Sequence, residues 1–170
     1  MIVRPFAGKQ PRLGARVFVA DNAALIGDVE IGDDASIWYG VVLRGDVNRI
    51  RIGARTNIQD NSVLHVDQGT APAIIGDEVT VGHSATVHGC TIGRGSLIGI
   101  GSTVLSHAVI GDFALIGAGA LVPEEMNVPP RTLVLGVPGR VKRDLTPEEL
   151  QRLEQSWEHY VDLKNEYLKS

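Results

Sequence analysis

The sequence of 170 residues has few aromatic residues, a single cysteine and no excess of basic charge. Phe, Trp and Tyr together make up 5 % of it. Cys90 is the only cysteine, so no intrachain disulfide can form and a secreted disulfide scaffold is excluded. The formal net charge of −4 argues against the basic surface that nucleic-acid-binding proteins carry. No apolar run approaches the roughly 18 residues of a membrane span, and the first residues lack a signal-peptide organisation. We therefore predict a cytoplasmic protein with neither a membrane nor a nucleic-acid partner.

Glycine, by contrast, is abundant. The chain has 20 glycines, or about 12 % of its residues, against a usual share of about 7 %. Since 44 % of the residues are hydrophobic, the chain has enough apolar surface for a compact core. We therefore expect the glycines to serve tight turns or close backbone approaches inside one folded domain.

Aliphatic residues recur at every sixth position along most of the chain, and this period predicts the fold. A period of six fits neither a helix nor a hairpin meander, but it fits a parallel β-helix with three hexapeptide units per triangular coil. One aliphatic per unit points into a narrow prism, which has little room for rings. The positions are Val19, Leu25, Ile31, Ile37, Leu43, Ile52, Ile58, Leu64, Ile75, Val81, Val87, Ile92, Ile98, Val104, Ile110, Ile116 and Val122.

The period is broken three times, and all three breaks lie in the middle of the predicted prism. Three residues are added after Leu43, five are added after Leu64 and one is missing after Val87. Histidines lie close to these breaks.

The last part of the chain changes to a helical period. Residues 146–149, Thr-Pro-Glu-Glu, are typical of a helix start with a capping box. We predict an amphipathic helix over about 147–168 that packs on the prism. The predicted organisation is a β-helix domain over residues 1–135 and a connecting loop with the helix over residues 136–170.

The register of the repeats predicts that two histidines stack. His65 follows Leu64 and His88 follows Val87, and these two aliphatics share a column once the five added residues are discounted. The two imidazoles are then one strand spacing apart, about 4.8 Å, which allows them to share a metal ion.

A third histidine falls on a neighbouring face. His83 shares its phase with Asp60, so a second subunit would have to bring its own His83 to the pair. The prediction is a homotrimer with three metal sites between subunits. Three histidines with an open fourth position are typical of catalytic zinc, although imidazole also suits Fe²⁺ and Co²⁺. The alternative is that these histidines are ordinary polar turn residues.

Two stretches resemble the γ-class carbonic anhydrases and their close bacterial relatives. One contains Arg44-Gly45-Asp46, residues 57–60 (Asn-Ile-Gln-Asp) and Leu64-His65, and the other is residues 82–90. The resemblance covers nearly the whole chain and implies a left-handed β-helix with a C-terminal helix. It also implies reversible hydration of carbon dioxide by a metal-bound hydroxide.

The resemblance also implies roles for individual residues. His65 and His88 of one subunit and His83 of its neighbour would ligate the metal. Gln59 and Asn57 would position the bound water and the substrate. The remaining candidates are Arg44, which would pair with Asp46 and Asp60 across the subunit interface, and Tyr160 on the helix.

The sequence departs from the family in the residues that relay protons. Val47 stands where the active enzymes carry a glutamate, and the loop after His65 has Asp67 as its only acid before Ile75. Since a proton must leave the bound water in each cycle, loss of this relay is expected to limit turnover. The alternatives are therefore a hexapeptide acyltransferase that uses coenzyme A, a small acyl-CoA thioesterase and a non-catalytic trimeric scaffold that retains metal.

Overall fold

The computed structural model describes residues 1–169, and within them the chain forms twenty short strands and one helix. The elements are β1 (Ile2–Arg4), β2 (Arg12–Leu13), β3 (Phe18–Val19), β4 (Ala24–Ile31), β5 (Ser36–Ile37), β6 (Val42–Ile52), β7 (Asn57–Ile58), β8 (Val63–His65), β9 (Ala73–Ile75), β10 (Thr80–Val81), β11 (Thr86–His88), β12 (Thr91–Ile92), β13 (Leu97–Ile98), β14 (Thr103–Val104), β15 (Val109–Ile110), β16 (Leu115–Ile116), β17 (Leu121–Val122), β18 (Asn127–Val128), β19 (Thr132–Leu135), β20 (Arg140–Asp144) and α1 (Pro147–Tyr167).

The strands wind into a left-handed parallel β-helix with three faces. The first face stacks β3, β5, β7, β10, β13, β16 and β19, and β20 closes it with an antiparallel pairing on β19. The second face (β8, β11, β14 and β17) and the third face (β9, β12, β15 and β18) form one twelve-stranded sheet, because the long strands β4 and β6 run around the corner between them. The predicted fold class is confirmed. The domain division after residue 135 stays a prediction, and β19 and β20 pair across it.

The strand register reproduces the predicted breaks in the repeat. In the regular coils the pairing of Val104 with Val122 spans three whole hexapeptides. The pairing of Leu43 with Leu64 spans three residues more than that, and the pairing of Leu64 with Val87 spans five more. The step from Val87 to Val104 is one residue shorter. The added and missing residues therefore change the corners of the prism and leave the aliphatic columns aligned.

The inward-facing aliphatic residues of the three faces form the core. Every aliphatic of the six-residue repeat is buried except Val19, which is partly exposed in the first coil. Burial of such a side chain stabilises the fold by about 1.5–3 kcal/mol. Within residues 1–169 the core cluster of the prism holds no aromatic ring, as expected for a narrow interior. The rings collect outside it instead, where Trp38 packs against Phe18, Tyr160 and Tyr167.

The glycines that follow inner aliphatics are required by close approach between coils. A Cβ on Gly53 would lie 2.4 Å from the backbone nitrogen of Asp77, and one on Gly99 would lie 2.6 Å from that of Ala118. The left-handed corner positions, where glycine was expected, are often occupied by other residues, such as Arg55 (φ 57°) and Glu78 (φ 62°). Much of the glycine excess therefore comes from the tight stacking of coils.

Helix α1 lies along the first face and contacts β3, β5, β7 and β10. It begins with the predicted capping box between Thr146 and Glu149. Near its end Lys164 is fully buried, and its Nζ donates to Asp34 Oδ1 (2.8 Å) and to the Arg16 carbonyl (2.9 Å). This contact fastens the helix to the first coils. In the described part of the chain, α1 lacks the apolar length that a membrane-spanning helix needs.

Candidate metal centre

Two histidines stack on the second face of the prism. β8 and β11 pair in parallel and place His65 directly opposite His88, in the register expected from the sequence. Nδ1 of His65 lies 3.1 Å from Nε2 of His88, and the ring centroids are 5.1 Å apart. Both side chains are half-buried, so the pair opens toward solvent from a rigid sheet.

Hydrogen bonds extend from this pair in both directions. Arg44 Nη1 donates to Asp46 Oδ2 at 2.5 Å. Burial opposes ionisation of Asp46, but the hydrogen bonds from Arg44 and His65 outweigh it and lower the pKa of this carboxyl. As a carboxylate, Asp46 can only accept, so Nε2–H of His65 donates to Asp46 Oδ1 (3.1 Å). His65 Nδ1 then accepts from Nε2–H of His88, and Nδ1 of His88 accepts from the Ser106 hydroxyl (2.9 Å).

The geometry of the pair fits two ligands of a divalent metal ion. Two nitrogens bound to one tetrahedral zinc at about 2.0–2.1 Å lie about 3.3 Å apart, close to the 3.1 Å observed between His65 and His88. His65 also donates its other ring N–H to a carboxylate, an arrangement usual for metal-ligating histidine. Within residues 1–169 of one chain, no group of three or more His, Cys, Asp or Glu side chains is placed to hold a metal ion.

His83 lies at the corner between the first and second faces. Its Nδ1 is 2.8 Å from Asp60 Oδ2, as their shared phase predicts. A carboxylate at Nδ1 fixes the tautomer in which Nε2 carries the lone pair. The side chain is 43 % exposed, so Nε2 can meet a group that lies outside its own chain.

Asn57 and Gln59 form a buried polar row beside that corner. Gln59 Nε2 donates to Asn57 Oδ1 (3.1 Å), and Asn57 Nδ2 donates to Thr80 Oγ1 (2.9 Å). Ser156 of α1 bonds the same Thr80 hydroxyl at 3.2 Å. These contacts hold the Gln59 amide in a fixed orientation next to Asp60.

Tyr160 of α1 lies near the same corner. Its ring meets the edge of Trp38 at a centroid distance of 5.5 Å. Burial raises the pKa of Tyr160, and the negative charge of Asp60 raises it further. The charge of Asp60, which pairs with His83, therefore acts on the Tyr160 hydroxyl.

Arg44 pairs with Asp46 inside one chain, whereas the sequence led us to expect this pairing across the subunit interface. The expected partnership of Arg44 with Asp60 between subunits stays a prediction. Cys90, which follows the site closely in sequence, is buried, and burial raises the pKa of its thiol to about 12. His107 is exposed.

Two neighbours of His88, Ser106 and Asp67, were not expected from the sequence. Ser106 lies 18 residues after His88, but the pairing of Val87 with Val104 puts Leu105 in the position that corresponds to His88, so the repeat register alone does not identify Ser106. Asp67 Oδ1 is 3.9 Å from Nδ1 of His88, and the Asp67 carbonyl accepts a hydrogen bond from Asn48 Nδ2 (2.9 Å). The second contact joins the two loops formed by the added residues.

Comparison with known proteins places the chain among hexapeptide-repeat proteins. The family described as bacterial transferase hexapeptide (six repeats) matches residues 11–45 and 89–124. A carbonic anhydrase of Geobacillus kaustophilus is 45 % identical over 169 residues, which cover 99 % of this chain and 92 % of that protein. The chain belongs to the γ-class carbonic anhydrase-like family of hexapeptide-repeat proteins.

A plant relative and a solved bacterial structure are also similar to this γ-class carbonic anhydrase-like chain. Gamma carbonic anhydrase 2, mitochondrial, of Arabidopsis thaliana is 45 % identical over 160 residues, or 91 % of this chain and 58 % of that protein. The crystal structure of a hexapeptide transferase family protein from Anaplasma phagocytophilum has a TM-score of 0.94 and 42 % identity, with 98 % of each chain covered.

The two ranges that match the hexapeptide family leave out residues 46–88. That span holds His65, His83 and His88. The general repeat therefore describes the regular coils of this γ-class carbonic anhydrase-like chain, and the candidate metal centre lies between them.

Proposed function

We propose that this protein is a metal-dependent carbonic anhydrase that hydrates carbon dioxide reversibly at sites shared between the subunits of a homotrimer. The observation that carries the proposal is the pair of ring nitrogens of His65 and His88, 3.1 Å apart and braced by Asp46. The relatives named carbonic anhydrase support the reaction.

His65 and His88 of one subunit and His83 of a neighbouring subunit would hold the metal ion. Zinc is the proposed metal, with Fe²⁺ or Co²⁺ as alternatives, since imidazole suits all three. Zinc held by these three imidazoles would lower the pKa of a bound water to about 7 and would so supply the nucleophile for carbon dioxide. Threefold symmetry would repeat the site at each of the three interfaces.

The surrounding residues orient these ligands and the substrate. Asp46, itself held by Arg44, fixes the ring of His65, and Asp60 fixes the ring of His83. The Gln59 amide, anchored on Asn57, is the proposed donor that positions the bound water and carbon dioxide. Tyr160 is proposed to border the same pocket because its ring packs on Trp38 and the charge of Asp60 acts on its hydroxyl.

Mixed trimers test whether the site is shared. His65→Ala and His83→Ala chains should each lose metal when prepared alone. After the two variants are refolded together in equal amounts, about one site in four should regain metal, because that fraction of interfaces joins an intact pair to an intact His83. His107→Ala, which changes an exposed histidine of the regular coils, is the control and should retain full metal content. No recovery in the mixture would refute the shared site.

Stopped-flow hydration of carbon dioxide tests the reaction. Wild-type protein loaded with zinc, and separately with Fe²⁺ under anaerobic conditions, should hydrate carbon dioxide above the buffer rate, and His65→Ala should not. Wild-type protein that binds metal but shows no hydration with either ion would overturn the proposed activity and favour the scaffold.

The structural likeness to a hexapeptide transferase family protein favours one second candidate, an acyltransferase that uses coenzyme A. Such an enzyme needs no metal. Acetyl transfer from acetyl-CoA that persists in the presence of EDTA would support it over the anhydrase. The same assay without an acceptor amine detects hydrolysis of small acyl-CoA thioesters.

A further inference from the structure

Ser106 stands out among the serines buried at the corners of the prism. The Ser62, Ser96 and Ser102 hydroxyls each donate to a backbone carbonyl, at 2.7–2.9 Å, and so stabilise a turn. Ser106, which is 5 % exposed, has its Oγ 2.9 Å from Nδ1 of His88 instead. Its hydroxyl therefore bonds a candidate metal ligand.

The backbone next to His88 leaves room for the contact between Ser106 and the imidazole. Gly89 follows His88, and a Cβ on it would lie 3.1 Å from Ser106 Oγ and 2.9 Å from the Cβ of Ala71. The absence of a side chain at Gly89 allows Ser106 to reach the imidazole from the coil below.

A hydroxyl can both donate and accept, and this property matters at His88. In the metal-free chain Nε2–H of His88 donates to His65, so Nδ1 accepts the proton of the Ser106 hydroxyl. When Nε2 is a metal ligand it must carry a lone pair, so the ring proton moves to Nδ1 and the Ser106 oxygen accepts it. A backbone carbonyl at this place could serve only the second state.

We infer that Ser106 is a positioning residue for the metal centre: it holds His88 with Nε2 directed at the site and reverses its own hydrogen bond when metal binds. This inference rests on the proposed function, because it requires His88 to be a ligand. The reversal moves one proton within one imidazole and involves no net gain or loss of protons at His88.

The test compares two side chains of the same shape. Ser106→Thr keeps the hydroxyl and Ser106→Val removes it, so their difference isolates the hydrogen bond from packing. Co²⁺ affinity is measured by competition with a chelator on purified metal-free protein. Ser106→Val should bind Co²⁺ about 10–100-fold more weakly than Ser106→Thr, since partners of metal-ligating histidines contribute on that scale. Ser106→Ala should resemble Ser106→Val, and Ser102→Ala, which removes a turn hydroxyl, should bind like wild type.

Nitrogen-15 NMR of histidine-labelled protein gives a second readout that a purely structural serine would not change. The wild-type His88 ring should carry its proton on Nε2 without metal and on Nδ1 with zinc, and Ser106→Val, which offers Nδ1 no donor, should lose the preference for Nε2 in the metal-free state. Equal Co²⁺ affinity for Ser106→Thr and Ser106→Val, or the same metal-free His88 tautomer in both, would refute the role of Ser106 and leave the metal site standing, whereas a His88 proton that stays on Nε2 with zinc bound would exclude Nε2 as a ligand and refute the proposed metal site. Failure of wild-type protein to bind Co²⁺ or zinc would refute the proposed function itself.

Discussion

The regular coils after Ile92 and the interrupted coils before it have the same interior and different corners. In both regions each coil places aliphatics of three faces in the core, with side chains such as Ile58 and Ile116 fully buried. The regular coils use three hexapeptides per turn, as in the pairing of Ile98 with Ile116. The interrupted coils take three and five residues more to make the same turn.

The difference lies in what the extra residues carry. Asp46 comes after Leu43, among the residues of the first insertion, and Asp67 lies in the second. Each approaches a histidine of the stacked pair, Asp46 at 3.1 Å from His65 and Asp67 at 3.9 Å from His88. The core therefore specifies the prism, whereas residues added to its corners supply the charges of the candidate site.

The first prediction tests whether the two regions share one core. Ile58→Ala in an interrupted coil and Ile116→Ala in a regular coil should each destabilise the protein by about 2–5 kcal/mol, because both remove fully buried side chains from the same column. Urea unfolding followed by circular dichroism, at one fixed chain concentration, measures the change. A much smaller loss for Ile58→Ala would mean that the interrupted coils are loosely packed.

The second prediction concerns the stacking of coils. Gly53→Ala and Gly99→Ala should each cost about 1–3 kcal/mol, because the added Cβ would meet the backbone of the next coil at 2.4 Å and 2.6 Å. Gly119→Ala is the control. It has open space around it and a φ of +66°, so only the left-handed backbone penalty of about 1 kcal/mol remains. Losses at Gly53 and Gly99 no larger than that at Gly119 would show that the coils can part to accept a Cβ, and that close approach does not explain these two glycines.

The third prediction separates the charged corner from a regular one. Asp46→Asn should weaken metal affinity about 10–100-fold, because an amide can donate to His65 and favour the wrong tautomer. Asp112→Asn changes a corner aspartate of the regular coils that caps the Arg94 amide at 2.9 Å. Its metal affinity, measured by the same chelator competition, should equal that of wild type. An Asp46→Asn protein that binds metal normally would show that the carboxylate is not needed.

The periodic features of this fold were predictable because each depends on local spacing. Counting inner aliphatics placed Leu64 beside Val87 and so His65 beside His88, which the strand pairing reproduces. The capping box at Thr146 could be predicted for the same reason, since it involves only four consecutive residues.

Contacts between distant parts of the chain could not be predicted in this way. Lys164 on the helix meets Asp34, which is 130 residues away, because the helix docks on the first coils. The Arg44–Asp46 pair depends on which way two side chains turn at a corner, and the repeat does not determine this. The reach of Ser106 to His88 depends on the lack of a side chain at Gly89.

The last prediction concerns the acid stability of a second corner. Glu78 lies in the interrupted coils and bonds Arg55 and Arg94, each at 2.7 Å. Burial tends to raise the pKa of Glu78, but the hydrogen bonds from Arg94 and Arg55 outweigh it and the pKa is lowered. A carboxyl with a lowered pKa stabilises the folded chain above its unfolded pKa of about 4.3, and this contribution is lost as the pH falls through the folded value.

Glu78→Gln should therefore destabilise the protein at pH 7, and the difference from wild type should shrink below about pH 4. The effect at pH 7 is expected to be at most about 1 kcal/mol, because both arginines are substantially exposed to solvent. Phe113 occupies the equivalent corner two coils later, in the regular region, where it packs against Arg94. Phe113→Leu should cost the same free energy of unfolding at pH 7 and pH 3.5, because it changes no titratable group. If Glu78→Gln behaves in the same pH-independent way, the charged corner contributes only packing, and the interrupted coils differ from the regular ones at the metal centre alone.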